Sequence, residues 1–140
     1  MLQVGDEVPE FEVENQDGVT VREADIEDAI VYFYPKAGTP GCTKEACSFS
    51  DSIQEFEDAG IAVYGVSVDS VEDQKAFHDE YDIGFDLLAD EEGKVAEKFG
   101  VLHGDVAERT TFLVREGKVE KVFRDVDPEE HVGEVIEYLD

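Results

Sequence analysis

The residues of this chain best suited to covalent chemistry are its two cysteines, which lie in the run Thr39-Pro40-Gly41-Cys42-Thr43-Lys44-Glu45-Ala46-Cys47. A thiolate is a nucleophile and a source of two electrons, so the pair suggests redox chemistry on sulfur. Ala46, Phe49, Ile53 and Phe56 recur at helical spacing, which predicts a helix from Gly41 or Cys42 to about Ala59, closed by Gly60. Before it, the continuous run Ala29-Ile30-Val31-Tyr32-Phe33-Tyr34 reads as a central strand covered on both faces and stopped by Pro35. Cys42 therefore falls in the first turn of a helix that follows a strand end, where ligands gather in open α/β sheets. First-turn amides have no partner within their helix, and together with the positive end of the helix dipole they stabilise a thiolate. Pro40 lacks an amide hydrogen and Gly41 lets backbone come close to a ligand; the Thr39 hydroxyl can donate to the sulfur or to a substrate oxygen.

Helical phase separates the two sulfurs. At 100 degrees per residue Cys42 is in line with Ala46, Phe49, Ile53 and Phe56, whereas Cys47 points roughly 140 degrees away. One thiol should face inward and the other outward. With a rise of ~1.5 Å per residue and a radius of ~2.3 Å, their α-carbons stand about 8 or 9 Å apart on an intact helix. A disulfide needs roughly 4.4 to 6.8 Å, so the two can bond only if one end of the segment unwinds. The expectation is a sequence of events in which Cys42 reacts first and Cys47 arrives after local unfolding, helped by the weak helix formers Ser48, Ser50, Asp51 and Ser52. The spacing is not that of a zinc knuckle, and His78, His103 and His131 are scattered, so no metal is expected.

The remaining elements follow from pattern. Phe11 and Val13, then Val19 and Val21, alternate with polar residues around Asp17-Gly18, which predicts an N-terminal hairpin. Ile61 to Val68 reads as a second central strand. Ser70 with Asp73 forms an acidic relative of the capping box before a helix carrying Val71, Phe77 and Tyr81. Phe85 to Ala89 is a short strand, followed by a helix with Val95, Ala96 and Phe99 that Gly100 closes. The stretches 110–114 and 119–123 flank Glu116-Gly117 as a terminal hairpin. Asp127, Pro128 and Glu130 then predict a capped helix bearing Val132, Val135, Ile136 and Leu139. This order, with parallel strands, a hairpin and a closing helix, is that of an α/β thioredoxin-like fold: a central mixed sheet flanked by helices, with an N-terminal hairpin extension, in a single domain over residues 1–140.

Composition narrows the partners. Against 37 acidic residues stand 11 basic ones, a formal charge of -26, while 41% of the chain is hydrophobic, which is enough for a packed core. Nucleic acid and anionic lipid both need a basic footprint, so neither is expected as a partner. A surface this acidic repels itself in dilute salt, which predicts a halophilic protein whose melting temperature climbs along a potassium chloride series. Two cysteines do not make the disulfide-dense pattern of small secreted proteins, the N-terminus lacks the pattern of a signal peptide, and no stretch approaches ~20 apolar residues. A cytoplasmic setting is the expectation.

The segment from Val31 to Cys47 closely resembles the peroxiredoxins, in particular the branch called bacterioferritin comigratory protein or peroxiredoxin Q. The likeness continues through 64–70, 85–90 and 109–113, and so covers nearly the whole chain. Pro35, Thr39 and Cys42 match that superfamily's proline, threonine and peroxidatic cysteine, Cys47 matches the branch's resolving cysteine, and Arg109 falls where the family keeps an arginine beside the sulfur. The resemblance implies a thioredoxin-dependent peroxidase without metal, haem or flavin. On it, hydrogen peroxide and organic hydroperoxides oxidise Cys42 to sulfenic acid, an intramolecular Cys42–Cys47 disulfide follows, and a thioredoxin-like dithiol protein reduces it. It also implies a monomer, with a weak dimer as the other form. Val114-Arg115-Glu116-Gly117 departs from the family's usual hairpin tip, away from the site. Two rival readings remain: a thiol-disulfide oxidoreductase, which would normally space its cysteines two residues apart, and a non-catalytic binding module.

Overall fold

The computed structural model describes residues 1–124 and 130–139. Strands β1 (Glu12–Glu14) and β2 (Thr20–Arg22) form the expected N-terminal hairpin, and its turn is held by the Asn15 side chain, which accepts from the amides of Asp17 and Val19 at 2.9 and 3.0 Å. A short 3-10 turn, Glu23–Ile26, leads into β3 (Ala29–Phe33). Helices α1 (Pro40–Asp51) and α2 (Ile53–Asp58) follow, then β4 (Ala62–Ser67), α3 (Val71–Tyr81), β5 (Asp86–Ala89) and α4 (Lys94–Phe99). The chain closes with β6 (Leu102–His103), β7 (Val106–Ala107), β8 (Thr110–Arg115), β9 (Lys118–Arg124) and α5 (His131–Leu139).

Seven strands join in the order β2-β1-β5-β4-β3-β8-β9. β3, β4 and β5 run parallel, and β8 pairs antiparallel with β3 so that Phe33 faces Thr110. This is the mixed sheet of the thioredoxin-like fold, and β3 lies inside it, as a run of unbroken apolar residues requires. Its side chains alternate between two cores. Ala29, Val31 and Phe33 pack with Phe99 and Phe112 on one face; Ile30 and Tyr32, with Tyr34 just beyond the strand, pack with Cys42, Ala46, Phe49 and Phe56 on the other. Each large apolar side chain buried this way contributes roughly 1.5–3 kcal/mol, so the face carrying α1 is fixed by many contacts at once. Gly65 on β4 belongs to that fit: a Cβ there would stand 2.8 Å from the Tyr32 hydroxyl oxygen, and the Tyr32 ring is stacked on Phe49 of α1 at 4.6 Å.

The pattern reading needs correction at two points. The helix expected to reach Ala59 breaks at Ser52, whose φ of -102 and ψ of 9 leave the helical range and whose amide is shared between the carbonyls of Ser48 and Phe49. Four of the five residues from 48 to 52 are Ser or Asp, which compete with the helical backbone for hydrogen bonds. The small β6–β7 hairpin around Gly104-Asp105 was not foreseen, whereas the expected N-terminal hairpin joins the sheet through Glu14 and Ala89. The Ser70 cap is present, accepting from the Asp73 amide at 3.1 Å. The cap expected at Asp127 and Pro128 lies outside the described residues. Among the described residues, no helix is long and apolar enough to cross a membrane.

Candidate active site

Thr39 is the N-cap of α1, with extended backbone (φ -73, ψ 153), and Pro40 takes the first helical position, where a missing amide costs nothing. Cys42 follows in the first turn and is buried, whereas Cys47, on the same unbroken helix, is partly exposed; both are free thiols. The inward and outward sulfurs expected from helical phase are therefore observed.

Arg109 reaches the sulfur from the other side. It sits between the β6–β7 hairpin and β8, so the pairing of β8 with β3 carries it to the strand end from which α1 departs. Its Nη2 donates to Cys42 Sγ at 3.1 Å and its Nη1 donates to Glu45 Oε1 at 3.0 Å. A guanidinium offers two donors in a rigid fork, so one side chain can hold the sulfur and the carboxyl in a fixed relation. Burial pushes the Cys47 thiol up, with the Asp51 carboxylate adding to the effect.

The other expected residues are placed as follows. The Thr39 hydroxyl donates to the Lys36 carbonyl at 3.1 Å, so its proton is committed within the loop and its lone pairs are what it can offer a ligand. Pro35, half-buried, ends the strand segment after Tyr34, whose amide still donates to Val66. Pro40 is exposed and serves the helix start.

Glu45 and His131 were missed. Glu45 is fully buried, and its Oε2 has no partner among the described residues. The signal was in the helical phase, since Glu45 lies about 60 degrees from Cys42 on the apolar side. His131 opens α5, is buried with its ring edge-on to Phe49 at 5.7 Å, and shares a 2.6 Å hydrogen bond through Nε2 with the Thr111 hydroxyl. It thus ties α5 to α1 and β8.

These two buried groups leave opposite marks on stability. Burial holds the Glu45 carboxyl up at about 7 against an ordinary 4.5, with Arg109 drawing it part of the way down. The folded protein therefore binds the Glu45 proton more tightly, and this stability is full below pH 4.5 and lost as pH rises to about 7, to the extent of about 3 kcal/mol. Burial pushes the His131 imidazole down from 6.5 to about 4, so there the unfolded chain binds the proton and stability rises with pH across that window. In the wild type the two slopes oppose each other. Glu45→Gln keeps an acceptor for Arg109 and removes the titration, so its melting temperature minus that of the wild type should climb from pH 4.5 to 7. A flat difference would show that Glu45 binds no extra proton in the folded state.

Residues 4–122 match the AhpC/TSA family. The chain is 39% identical to the chloroplastic peroxiredoxin Q of Sedum lineare, an alignment covering 96% of this chain and 76% of that one. It is 38% identical to peroxiredoxin Bcp of Escherichia coli strain K12, over 99% of this chain and 96% of that one. Among solved structures, the bacterioferritin comigratory protein of Xanthomonas campestris, studied for its alkyl peroxide reduction activity, superposes with a TM-score of 0.91 at 28% identity, covering 99% of this chain and 96% of that one. A buried helix-start cysteine held by an arginine, on this fold and with these relatives, leads to one conclusion: the chain belongs to the peroxiredoxins, thiol-based peroxidases, and within them to the bacterioferritin comigratory protein and peroxiredoxin Q branch.

Proposed function

We propose that the chain reduces hydrogen peroxide and organic hydroperoxides with Cys42 as the attacking sulfur, Cys47 as its resolving partner and a thioredoxin-like dithiol protein as the electron donor. The observation that carries this reading is the 3.1 Å contact between Arg109 Nη2 and the buried Sγ of Cys42 at the start of α1. The peroxide lies over Cys42, its oxygens met by Arg109 and the first-turn amides, while the Thr39 hydroxyl accepts a hydrogen bond from the peroxide O–H. A lone pair of the Cys42 thiolate attacks the terminal oxygen, the O–O bond breaks, and the leaving oxygen departs with the bonding pair and takes up a proton as water or alcohol. Cys42 becomes a sulfenic acid, and the donors around it offset the charge that develops on the leaving oxygen. Pro35 limits access of bulk water to the sulfur.

Resolution requires movement, because both cysteines lie on one continuous helix. Cys47 attacks the sulfenic sulfur, water leaves, and a disulfide forms once part of α1 has unwound. The break at Ser52, five residues beyond Cys47, supplies a helix end from which unwinding can start. The Xanthomonas campestris relative's alkyl peroxide reduction supports organic hydroperoxides as substrates here. The acidic surface supports a salt-rich cytoplasm as the setting.

Mass spectrometry after one equivalent of peroxide tests the scheme. The native protein should lose two hydrogens as an internal disulfide, whereas Cys47→Ser should gain one oxygen at Cys42. A native protein that accumulates the oxygen adduct and no disulfide would remove Cys47 from the cycle.

A further inference from the structure

A second polar cluster lies behind the site, on residues that the chemistry above does not use. Tyr34, just after β3, Ser67 on β4 and Gln74 on α3 are almost fully buried, yet each is paired. Gln74 Nε2 donates to the Leu88 carbonyl at 2.8 Å. A carbonyl only accepts, so this contact sets the amide orientation and leaves Gln74 Oε1 to accept from the Tyr34 hydroxyl at 2.6 Å. Burial holds the Tyr34 phenol well above its usual range, which keeps its proton in place. Gln74 Nε2 also donates to Ser67 Oγ at 2.9 Å, so the Ser67 proton must go onward, to Asp69 Oδ2 at 2.6 Å. The same Asp69 oxygen accepts from the backbone amide of Ala37 at 2.7 Å.

The chain of bonds starts and ends on the loop that precedes Cys42. Tyr34 and Ala37 flank Pro35-Lys36, Gly38 then turns with φ +83, and Thr39 caps α1 while its hydroxyl reaches back to the Lys36 carbonyl. Pinning Tyr34 and Ala37 fixes the loop at two points three residues apart, just before the groups that meet the peroxide. A network in which every proton has one assigned acceptor holds its geometry more sharply than apolar packing does.

We propose that Asp69 and Gln74 are positioning residues for the peroxidase reaction: through the Ala37 amide and the Tyr34 hydroxyl they hold the Pro35-to-Thr39 loop where Thr39 and the α1 amides can orient a hydroperoxide on Cys42. This rests on the peroxidase reading. It separates two properties of the site, since the reactivity of the sulfur comes from Arg109 and the helix start, whereas alignment of the O–O bond comes from the loop.

The test compares two reagents at Cys42. Hydrogen peroxide must be aligned before it reacts, whereas iodoacetamide needs only an accessible thiolate. In Asp69→Ala, which deletes the acceptor of both the Ala37 amide and the Ser67 hydroxyl, the rate constant for peroxide should fall by roughly 10- to 100-fold, the scale expected when a reacting group is displaced by about 1 Å, with alkylation within about twofold of wild type. Tyr34→Phe, which deletes one oxygen and keeps the ring, should shift the same ratio in the same direction by a smaller factor. Equal losses toward both reagents, or peroxide rates in both variants matching a reactive wild type, would overturn the positioning role and leave the peroxidase reading standing. A wild type whose Cys42 resists peroxide would overturn both.

Discussion

Replacing Cys42 by serine is expected to cut hydroperoxide consumption to the background of the reductant alone, a loss of roughly 10³-fold or more, because serine cannot give two electrons to a peroxide oxygen and burial and Asp51 hold up the thiol of Cys47. The fold should survive the change. Serine differs by one atom, its hydroxyl oxygen can still accept from Arg109, and the cluster of Tyr34, Ala46 and Phe49 around position 42 keeps its volume, so the cost should be about 1 kcal/mol. Peroxide turnover with a dithiol reductant, read beside a melting curve, separates lost chemistry from lost structure. A folded Cys42→Ser protein that still consumes peroxide would place the reaction elsewhere.

Arg109→Met should have the second largest effect. Methionine spans a similar length and fills the same space without a donor, so both the sulfur at 3.1 Å and Glu45 at 3.0 Å lose their partner. Removing a charge-stabilising donor from a buried site costs about 10²- to 10³-fold in rate, and that is the loss expected in the oxidation of Cys42. Stability should fall less than the loss of a buried ion pair suggests. With Arg109 gone, nothing opposes the burial that raises the Glu45 carboxyl, and the acid stays protonated instead of standing as an unpaired charge. Arg109→Lys keeps the charge but not the fork, so one ammonium cannot hold both groups; a loss nearer 10-fold is expected. Rapid-mixing measurements of Cys42 oxidation give both numbers, and an Arg109→Met rate within about twofold of wild type would remove the guanidinium from the reaction.

Much of this was legible along the chain because it depends on near neighbours. Period-2 and period-3.6 patterns located the strands and helices, Pro35 and Gly100 marked their ends, and helical phase alone put Cys42 inside and Cys47 outside on α1. The break at Ser52 was missed, since the apolar stripe runs on through Ile53 and Phe56 while the backbone does not.

The pairing of Arg109 with Cys42 was not in the spacing at all; family likeness suggested it, and the antiparallel register of β8 on β3 carries it out across 67 residues. Glu45 as a buried acid, His131 against Phe49, and the Tyr34–Gln74–Ser67–Asp69 relay were decided only by the tertiary structure. A polar residue in one dimension looks like surface. Whether it is buried, and which donor meets it, depends on how strands far apart in the chain align and which helix faces close over them. The sequence by itself determined which sulfur would sit at a helix start facing the core. The assembled sheet decided what would surround that sulfur, because hydrogen-bond partners in a buried site are chosen by packing rather than by distance along the backbone.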